Sequence, residues 1–282
     1  MDVSQAIGGR RSIRWFEPDA VPLTQVQRVL ETARFAMSPG NLQPWRAVVV
    51  VAAELDPADR RTLLEANNRQ RAQELAPVWV YWYGDPDAAI PAAFLASVEE
   101  QIAIGAIPTA FGWSVDAARR AIVDGEPAPP GVPALDTFVH GLPYEVSAII
   151  AAQETNAACT LAVLGAVEAG LGTCLHTIAA PARQEEVKAV LGVPERMVPV
   201  WLQLLGRPAE SLEAGGQRPR KPFGELYSLG RWGTPYPRDP ETVADLERAG
   251  LLQAPAPRPG RHEELSRLAA RFGYDGGSAS DG

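Results

Sequence analysis

Three arginines and one serine near the amino terminus are the first residues here whose types and spacing suggest chemistry. Arg10, Arg11, Ser12 and Arg14 lie within five residues, in a chain whose formal net charge is −8. Guanidinium groups bind phosphate oxygens through paired N–H donors, and a serine hydroxyl adds a neutral donor. A second basic stretch occurs at residues 218–221. The pattern predicts a site for a phosphorylated ligand, with a solvated charge run as the structural alternative.

Uncharged polar side chains follow in the segment that runs from Met37 to Trp45. Ser38, Asn41 and Gln43 surround a Pro-Gly pair in this segment. Their hydroxyl and amide groups both donate and accept, which suits a ligand rich in hydrogen-bonding groups. An ordinary turn is the structural alternative, because Pro-Gly pairs are common in turns.

A third candidate segment, Gly170-Leu171-Gly172-Thr173-Cys174-Leu175-His176-Thr177, combines two glycines with a histidine. It fails as a dinucleotide-binding fingerprint, because the third glycine is absent and the segment ends a predicted helix instead of following a strand. His176 is a candidate proton donor, although a lone histidine is more often structural.

A competing signal for a hydrolase is present at residues 112–116. Gly112-Trp113-Ser114-Val115-Asp116 comes close to the G-x-S-x-G nucleophile motif, and His140, His176 or His262 could supply a base. The second glycine is missing and no strand-like run precedes the serine, so the required strand–turn–helix context is absent. The sequence therefore disfavours a hydrolase.

Together, the arginine, Ser38–Gln43 and Gly170–Thr177 segments resemble the nitroreductase family of FMN-dependent flavoproteins, over about residues 4–226. The resemblance implies that Arg10 and Ser12 bind the FMN phosphate and that Arg218 and Arg220 close over it. Arg14 would lie at the N1/O2 edge of the ring, where a fixed cation stabilises the negative charge of the reduced flavin. The implied ligands to the phosphate, ribityl chain and ring are completed by Arg11, Ser38, Asn41, Gln43, Asn68, Cys174, Leu175 and His176. Asn67 is the alternative to Asn68 as the ring contact, with Asn68 favoured.

The resemblance also implies an activity and an assembly. NADH or NADPH would reduce FMN, leave, and be replaced by an electron-poor acceptor such as a nitroaromatic or a quinone, in a ping-pong cycle. No side chain need be the catalyst, because the flavin carries the chemistry. The protein would be a homodimer with FMN at its interface, reached by Ser38, Asn41 and Gln43 of the opposite subunit. Alternatives are dehalogenation, dehydrogenation of a biosynthetic intermediate, flavin fragmentation, or flavin binding without turnover.

The elements that must position these residues follow from hydrophobic periodicity. Apolar spacing predicts helices at 4–9, 22–35, 56–75, 145–169 and 181–191, and apolar runs predict strands at 47–53, 78–83 and 197–205. Helices alternating with strands indicate an α+β or α/β domain. The resemblance narrows this to an α+β fold with a central mixed sheet of about five strands. It assigns residues 1–232 to the FMN-binding domain and leaves 233–282 as an extension with short helices and a disordered tail.

Residues 88–144 match the family least. This stretch contains Phe111, Trp113, Phe138, His140 and Tyr144 among prolines and glycines. Long irregular segments in compact domains are often binding loops, and aromatic rings there could stack on a planar substrate. We expect a lid that sets acceptor choice, with Phe111 and Trp113 as substrate contacts. Packing of these rings against the core is the structural alternative.

Composition limits the class of partner. The acidic chain, with a pI near 5.1, lacks the general basic surface that nucleic acid requires. The two cysteines, Cys159 and Cys174, have no metal-ligand spacing and suggest a reducing compartment. No signal-peptide core and no uninterrupted apolar run of roughly 20 residues is present. We therefore expect a cytoplasmic enzyme with a small-molecule acceptor and no metal.

Overall fold

A four-stranded sheet forms the centre of the part of the chain that the structure, a computed structural model, describes: residues 2–107, 109–127, 143–178 and 180–274. Its strands are β1 (Trp45–Val51), β2 (Val78–Gly84), β3 (Gly172–His176) and β4 (Val198–Gly206). The spatial order is β1-β2-β4-β3, and each neighbouring pair is antiparallel. The first and third strands are therefore the two edges.

Helices surround this sheet in the described residues. They are α1 (Val3–Gly9), α2 (Leu23–Arg34), α3 (Pro57–Ala66), α4 (Arg71–Leu75), α5 (Pro91–Ala103), α6 (Val115–Val123), α7 (Tyr144–Glu168), α8 (Pro181–Leu191), α9 (Phe223–Leu226), α10 (Pro240–Arg248) and α11 (Arg261–Arg271). Single 3₁₀ turns occur at Pro39–Asn41, Pro86–Ala89 and Thr109–Phe111.

The α+β class is confirmed, but the expected mixed sheet of about five strands is corrected to four antiparallel strands within the described residues. At the β3 edge of the sheet, Ser12 and Thr173 form an isolated parallel bridge, in which the Ile13 N–H donates to the Thr173 carbonyl at 3.0 Å. The arginine segment thus lies beside β3 as a single bridged position, too short to form a strand. Residues 172–176, for which no strand was predicted, form β3, and its short length and Gly172 explain why no apolar run revealed it.

The predicted helix at 56–75 is in fact two helices. Asn68 and Arg69 adopt φ values of 55° and 49°, so α3 ends at Ala66 and α4 begins at Arg71. The apolar spacing continues across this break, which is why periodicity alone does not reveal it. The break turns Asn67 inward and leaves Asn68 exposed.

Two apolar layers hold the sheet. One face packs against α3, α4 and α8 through Trp79, Tyr81, Leu63 and Leu204, all at most 3% exposed. The other face packs against α2 and α7. Helix α7 is long and apolar enough to span a bilayer by composition, but it contacts α2 and all four strands. It is therefore the central core helix of this domain.

The stretch 88–144 contains a small helical unit of its own. Trp113 is 2% exposed and packs with Phe94, Val98 and Ile122 between α5 and α6. The structure therefore supports core packing, not substrate contact, for Trp113. The Phe111 side chain, Phe138 and His140 lie outside the described residues, so the lid hypothesis for them stays a prediction.

Candidate functional site

The arginine segment begins where α1 ends. A capping box between Asp2 and Gln5 fixes the start of this helix, and its last residue, Gly9, precedes an extended Arg10. The chain then passes along the open edge of β3 through the Ser12–Thr173 bridge. This path places the segment against the sheet edge instead of in solvent.

A cavity of about 120 Å³ brings together cations from the amino-terminal segment and from the segment that follows β4. Its polar lining includes Arg10, Ser12, Arg14, Arg218 and Arg220. Burial and the nearby charge of Arg220 lower the pKa of Arg10. Like charges held this close are costly without an anion between them, so the cavity is electrostatically suited to a phosphate. We call it the arginine cavity.

Arg11 differs from its neighbours. Its guanidinium donates to the carbonyls of Gly8 at 2.6 Å, Arg10 at 2.9 Å and Glu213 at 3.1 Å, and to Gln253 Oε1 at 2.7 Å. Four of the five guanidinium N–H groups are thereby occupied by protein acceptors. Arg11 also lines the arginine cavity, with one N–H group left for a ligand, so its expected role at the phosphate or ribityl chain stays a prediction.

A second and larger cavity adjoins the first. It has a volume of about 690 Å³ and shares Arg14, Ala214 and Arg218 with the arginine cavity. The new lining groups include Trp15, whose ring lies 4.0 Å from the guanidinium carbon of Arg71, and also Arg261. This volume falls within the roughly 300–1,000 Å³ typical of cofactor and small-molecule sites.

β3 supplies side chains on the same side as Ser12 and Arg14. Burial raises the pKa of the Cys174 thiol, although the Arg14 charge and a hydrogen bond with Ser12 oppose the shift. Leu175 instead belongs to the apolar layer on the α2 and α7 face. Because side chains alternate along a strand, a ligand on the Cys174 side can meet only the backbone of Leu175.

His176 is buried and neutral. Burial, assisted by the charge of Arg14, lowers its pKa to about 4. The Nδ2 atom of Asn67 lies 3.4 Å from His176 Nδ1, and this amide donates, so Nδ1 accepts and Nε2 carries the proton. That Nε2–H has no partner among the described residues. At neutral pH His176 is therefore an uncharged hydrogen-bond donor, and its role as a proton donor stays a prediction.

The asparagine beside His176 is Asn67, not the predicted Asn68. Asn67 is 2% exposed and also donates to Gln73 Oε1 at 2.8 Å. Asn68 is exposed to solvent in the left-handed region. Two adjacent asparagines give no sequence signal that separates them, because the helix break decides which one faces inward.

Ser38, Asn41 and Gln43 form one compact loop before β1. The Ser38 hydroxyl accepts from the Gln43 backbone N–H at 3.0 Å, and Gln43 Nε2 donates to Asn41 Oδ1 at 3.1 Å. Asn41 and Gln43 have φ values of 55° and 47°. Such strained non-glycine backbone is concentrated at functional sites.

This loop lies at the corner of the sheet diagonally opposite the arginine cavity. Ser12, Thr173, Leu205, Val78 and Val51 occupy one row across the sheet. At about 4.8 Å per strand, the four spacings put Ser12 roughly 19 Å from β1. From that row to Trp45 is roughly 20 Å more along β1 at about 3.4 Å per residue. The two polar sets are thus about 28 Å apart in one chain.

Ser114, the candidate nucleophile, has a structural role here. Its hydroxyl accepts from the Ala117 N–H at 3.1 Å and caps the start of α6. The role is that of an ordinary N-cap serine. The near match to the hydrolase motif is therefore a helix start.

Fold and site together define a layered α+β protein with an arginine-lined cavity between its amino-terminal segment and the chain that follows β4. The model of the nitroreductase family matches residues 7–207. A curated relative from Thermus thermophilus, named NADH dehydrogenase, is 34% identical over 210 residues, which cover 74% of this chain and 88% of the relative. The chain belongs to the nitroreductase family.

Solved structures agree on the fold. A protein from Exiguobacterium sibiricum, described as a nitroreductase in complex with FMN, superposes with a TM-score of 0.63 at 20% identity and covers 81% of this chain and 97% of its own. A Staphylococcus epidermidis protein described as an NAD(P)H:FMN oxidoreductase gives a TM-score of 0.60 at 17% identity, covering 81% and 95%. At these identities the likeness establishes the fold.

Proposed function

We propose that this protein is an FMN-dependent oxidoreductase that takes electrons from NADH or NADPH and passes them to an electron-poor acceptor. The observation that carries the proposal is the arginine cavity. Its lining combines cations of the amino-terminal segment and of the segment after β4 with the Ser12 hydroxyl. Arg10, Ser12, Arg218 and Arg220 would hold the phosphate of FMN. A phosphomonoester carrying nearly two negative charges suits four such donors.

The adjoining cavity fits the rest of the cofactor. It begins at Arg14 and Arg218, directly beside the proposed phosphate site. The unpartnered Nε2–H of His176 is a buried donor on the Cys174 side of β3, and buried donors are rarely left without an acceptor. When bound, FMN supplies the hydride-transfer chemistry. Arg14 and Arg71 would stabilise negative charge on the reduced ring.

The position of Ser38, Asn41 and Gln43 supports a homodimer with shared sites. A separation of about 28 Å exceeds the reach of one FMN molecule, so these groups can join the arginine cavity only through a second copy. Phe35 and Met37, immediately before this loop, are 77% and 89% exposed. Exposed apolar groups beside a polar loop fit a subunit interface.

The names of two similar proteins support a nicotinamide cofactor as the reductant. The Thermus thermophilus relative is called an NADH dehydrogenase, and the Staphylococcus epidermidis structure is described as an NAD(P)H:FMN oxidoreductase. By analogy, this chain would draw hydride from a nicotinamide and reduce a quinone or a nitroaromatic compound.

Steady-state kinetics tests the activity. The FMN-loaded protein should oxidise NADH or NADPH faster when a quinone or nitroaromatic acceptor is present, with parallel double-reciprocal lines for a ping-pong cycle. The Arg10→Ala variant, assayed at the same total FMN, is the matched control and should lose activity through loss of cofactor. FMN binding without oxidation of NADH or NADPH would contradict the proposed activity and indicate a flavin-binding protein without turnover.

A further inference from the structure

Glu210 is a buried carboxylate that organises the backbone of the arginine segment. Its side chain is fully shielded from solvent. Oε1 accepts from the backbone N–H groups of Arg14 at 2.5 Å and Trp15 at 3.0 Å. Oε2 accepts from Arg261 Nη2 at 2.6 Å. One carboxylate thus joins the segment that carries Arg14 to helix α11.

Arg261 completes this link from the carboxyl-terminal side. Its Nη1 donates to Glu264 Oε2 at 2.8 Å, and Glu264 Oε1 accepts from the Ser211 N–H at 2.6 Å. The Arg261 side chain is 17% exposed. A charged pair this shielded is sensitive to loss of either partner, because the remaining charge is left buried.

An aromatic cluster holds the same helix against the same segment. Trp15 is 2% exposed and packs its ring against Phe272 and Tyr274, with centroid distances of 5.6 and 5.8 Å. Arg271 adds two hydrogen bonds to Glu17 at 2.9 and 2.5 Å. Residues 271–274 therefore pack on residues 15–17 through both apolar and ionic contacts.

The extension also forms part of the cavity wall. Ala256, Pro257, Arg261 and Leu265 line the larger cavity opposite Arg14 and Arg218. Two backbone hydrogen bonds tie residues 254–256 to Gln217, one residue before Arg218. All these extension residues lie beyond residues 7–207, which match the family model.

We propose that the carboxyl-terminal extension is a working part of the cofactor site, with Glu210 and Arg261 as positioning residues that fix the backbone at Arg14. The inference rests on the proposed function. Removing the Arg261 charge leaves Glu210 without its ionic partner and frees the Arg14 and Trp15 amides to move. Flavin affinity then falls although Arg261 need not touch the flavin.

The test compares Arg261→Met with Arg248→Met in the full chain. Arg248 is a matched control, since it pairs with Asp245 on the exposed surface of α10 in the same extension. Fluorescence titration with FMN should show Kd raised about tenfold or more in Arg261→Met, because the charge-assisted hydrogen bond from Arg261 to Glu210 is lost, and Kd unchanged in Arg248→Met. Arg261→Lys, which keeps the charge, should recover part of the loss.

Two further readouts separate positioning from mere stability. Amide hydrogen exchange of flavin-free protein should accelerate at Arg14 and Trp15 in Arg261→Met. A cycle with Arg14→Met should be non-additive in FMN affinity, because both changes act on one contact set.

The inference would be overturned if Arg261→Met left both amide exchange and the Kd for FMN unchanged. It would also be overturned if the variant had a lower melting temperature but an unchanged Kd in the folded protein. Failure of the wild-type protein to bind FMN would instead overturn the proposed function, while the exchange data would still decide the positioning role.

Discussion

At the scale of residues, charge and burial decide which side chains form the site. The residue types of arginine and serine indicate a phosphate site by themselves, so the sequence could predict Arg10, Ser12, Arg218 and Arg220 as a set. It could not predict that the Arg11 donors bind protein acceptors, because Glu213 and Gln253 come from segments more than 200 residues away. Nor could it choose Asn67 over Asn68 or identify Glu210, because their roles depend on the final packing.

Arg14 provides a prediction about redox tuning. Arg14→Ala should make the midpoint potential of bound FMN more negative, because it removes a cation beside the larger cavity. A shift of about 30 mV corresponds to roughly 1.4 kcal/mol for a two-electron couple. Potentiometry measures the shift, with Arg248→Ala on the exposed surface of α10 as the control. FMN that stays bound at an unchanged potential would assign Arg14 to structure.

Two buried titratable groups predict opposite pH dependences of stability. The pKa of His176 is lowered from 6.5 to about 4, so its contribution to stability is lost as pH falls through that window. Burial raises the pKa of Glu154 from 4.5 to about 7, so the contribution of Glu154 is lost as pH rises.

Urea unfolding between about pH 4.5 and 7 separates these two contributions. In His176→Asn, the free energy of unfolding should fall with rising pH relative to wild type. In Glu154→Gln it should rise more steeply than in wild type. Profiles parallel to wild type for both variants would show that neither group titrates as argued.

At the scale of elements, local patterns predict long apolar segments well and short irregular ones poorly. The runs at 47–53, 78–83 and 197–205 overlap β1, β2 and β4, because continuous runs rich in β-branched and aromatic residues favour strands. β3 was not predicted because it has only five residues and begins with Gly172, so it contains no long apolar run. The loop before β1 was identified by its residue types, but its distance from the arginine cavity depends on strand order.

Gly40 tests how the Ser38–Gln43 loop is held. Its φ is +59°, and a Cβ there would lie 2.6 Å from the Phe94 ring. Gly40→Ala should destabilise the protein by about 2–4 kcal/mol, from backbone strain plus overpacking. Gly105→Ala is the control: its φ is +76° with nothing near the new Cβ, so strain alone should cost about 1 kcal/mol. Equal losses in thermal or urea unfolding would contradict the contact with α5.

Trp113 tests the role of the α5–α6 unit. Because it is 2% exposed, Trp113→Ala should lower the free energy of unfolding by about 3–5 kcal/mol. Trp232, which is 99% exposed, provides a matched control whose substitution should change stability by less than about 0.5 kcal/mol. The ratio of kcat/KM for quinone and nitroaromatic acceptors should stay constant in both. A changed ratio without unfolding would restore Trp113 as a substrate contact.

At the scale of the whole molecule, the site depends on parts that are remote along the chain. The arginine cavity is lined by residues on either side of the sheet-forming region, and residues beyond the family-matched range line the larger cavity. The Ser38–Gln43 loop, at the opposite corner, is available to a second copy. The central claim is that this assembly recognises the phosphate of FMN.

Titration of flavin-free protein with FMN and with riboflavin tests that claim most directly. Wild type should bind FMN, and Arg10→Ala and Arg220→Ala should each weaken FMN binding by about 1.5–3 kcal/mol. The same substitutions should change riboflavin binding much less, because riboflavin lacks the phosphate. A protein that stays colourless with excess FMN, or equal losses for both ligands, would contradict the account.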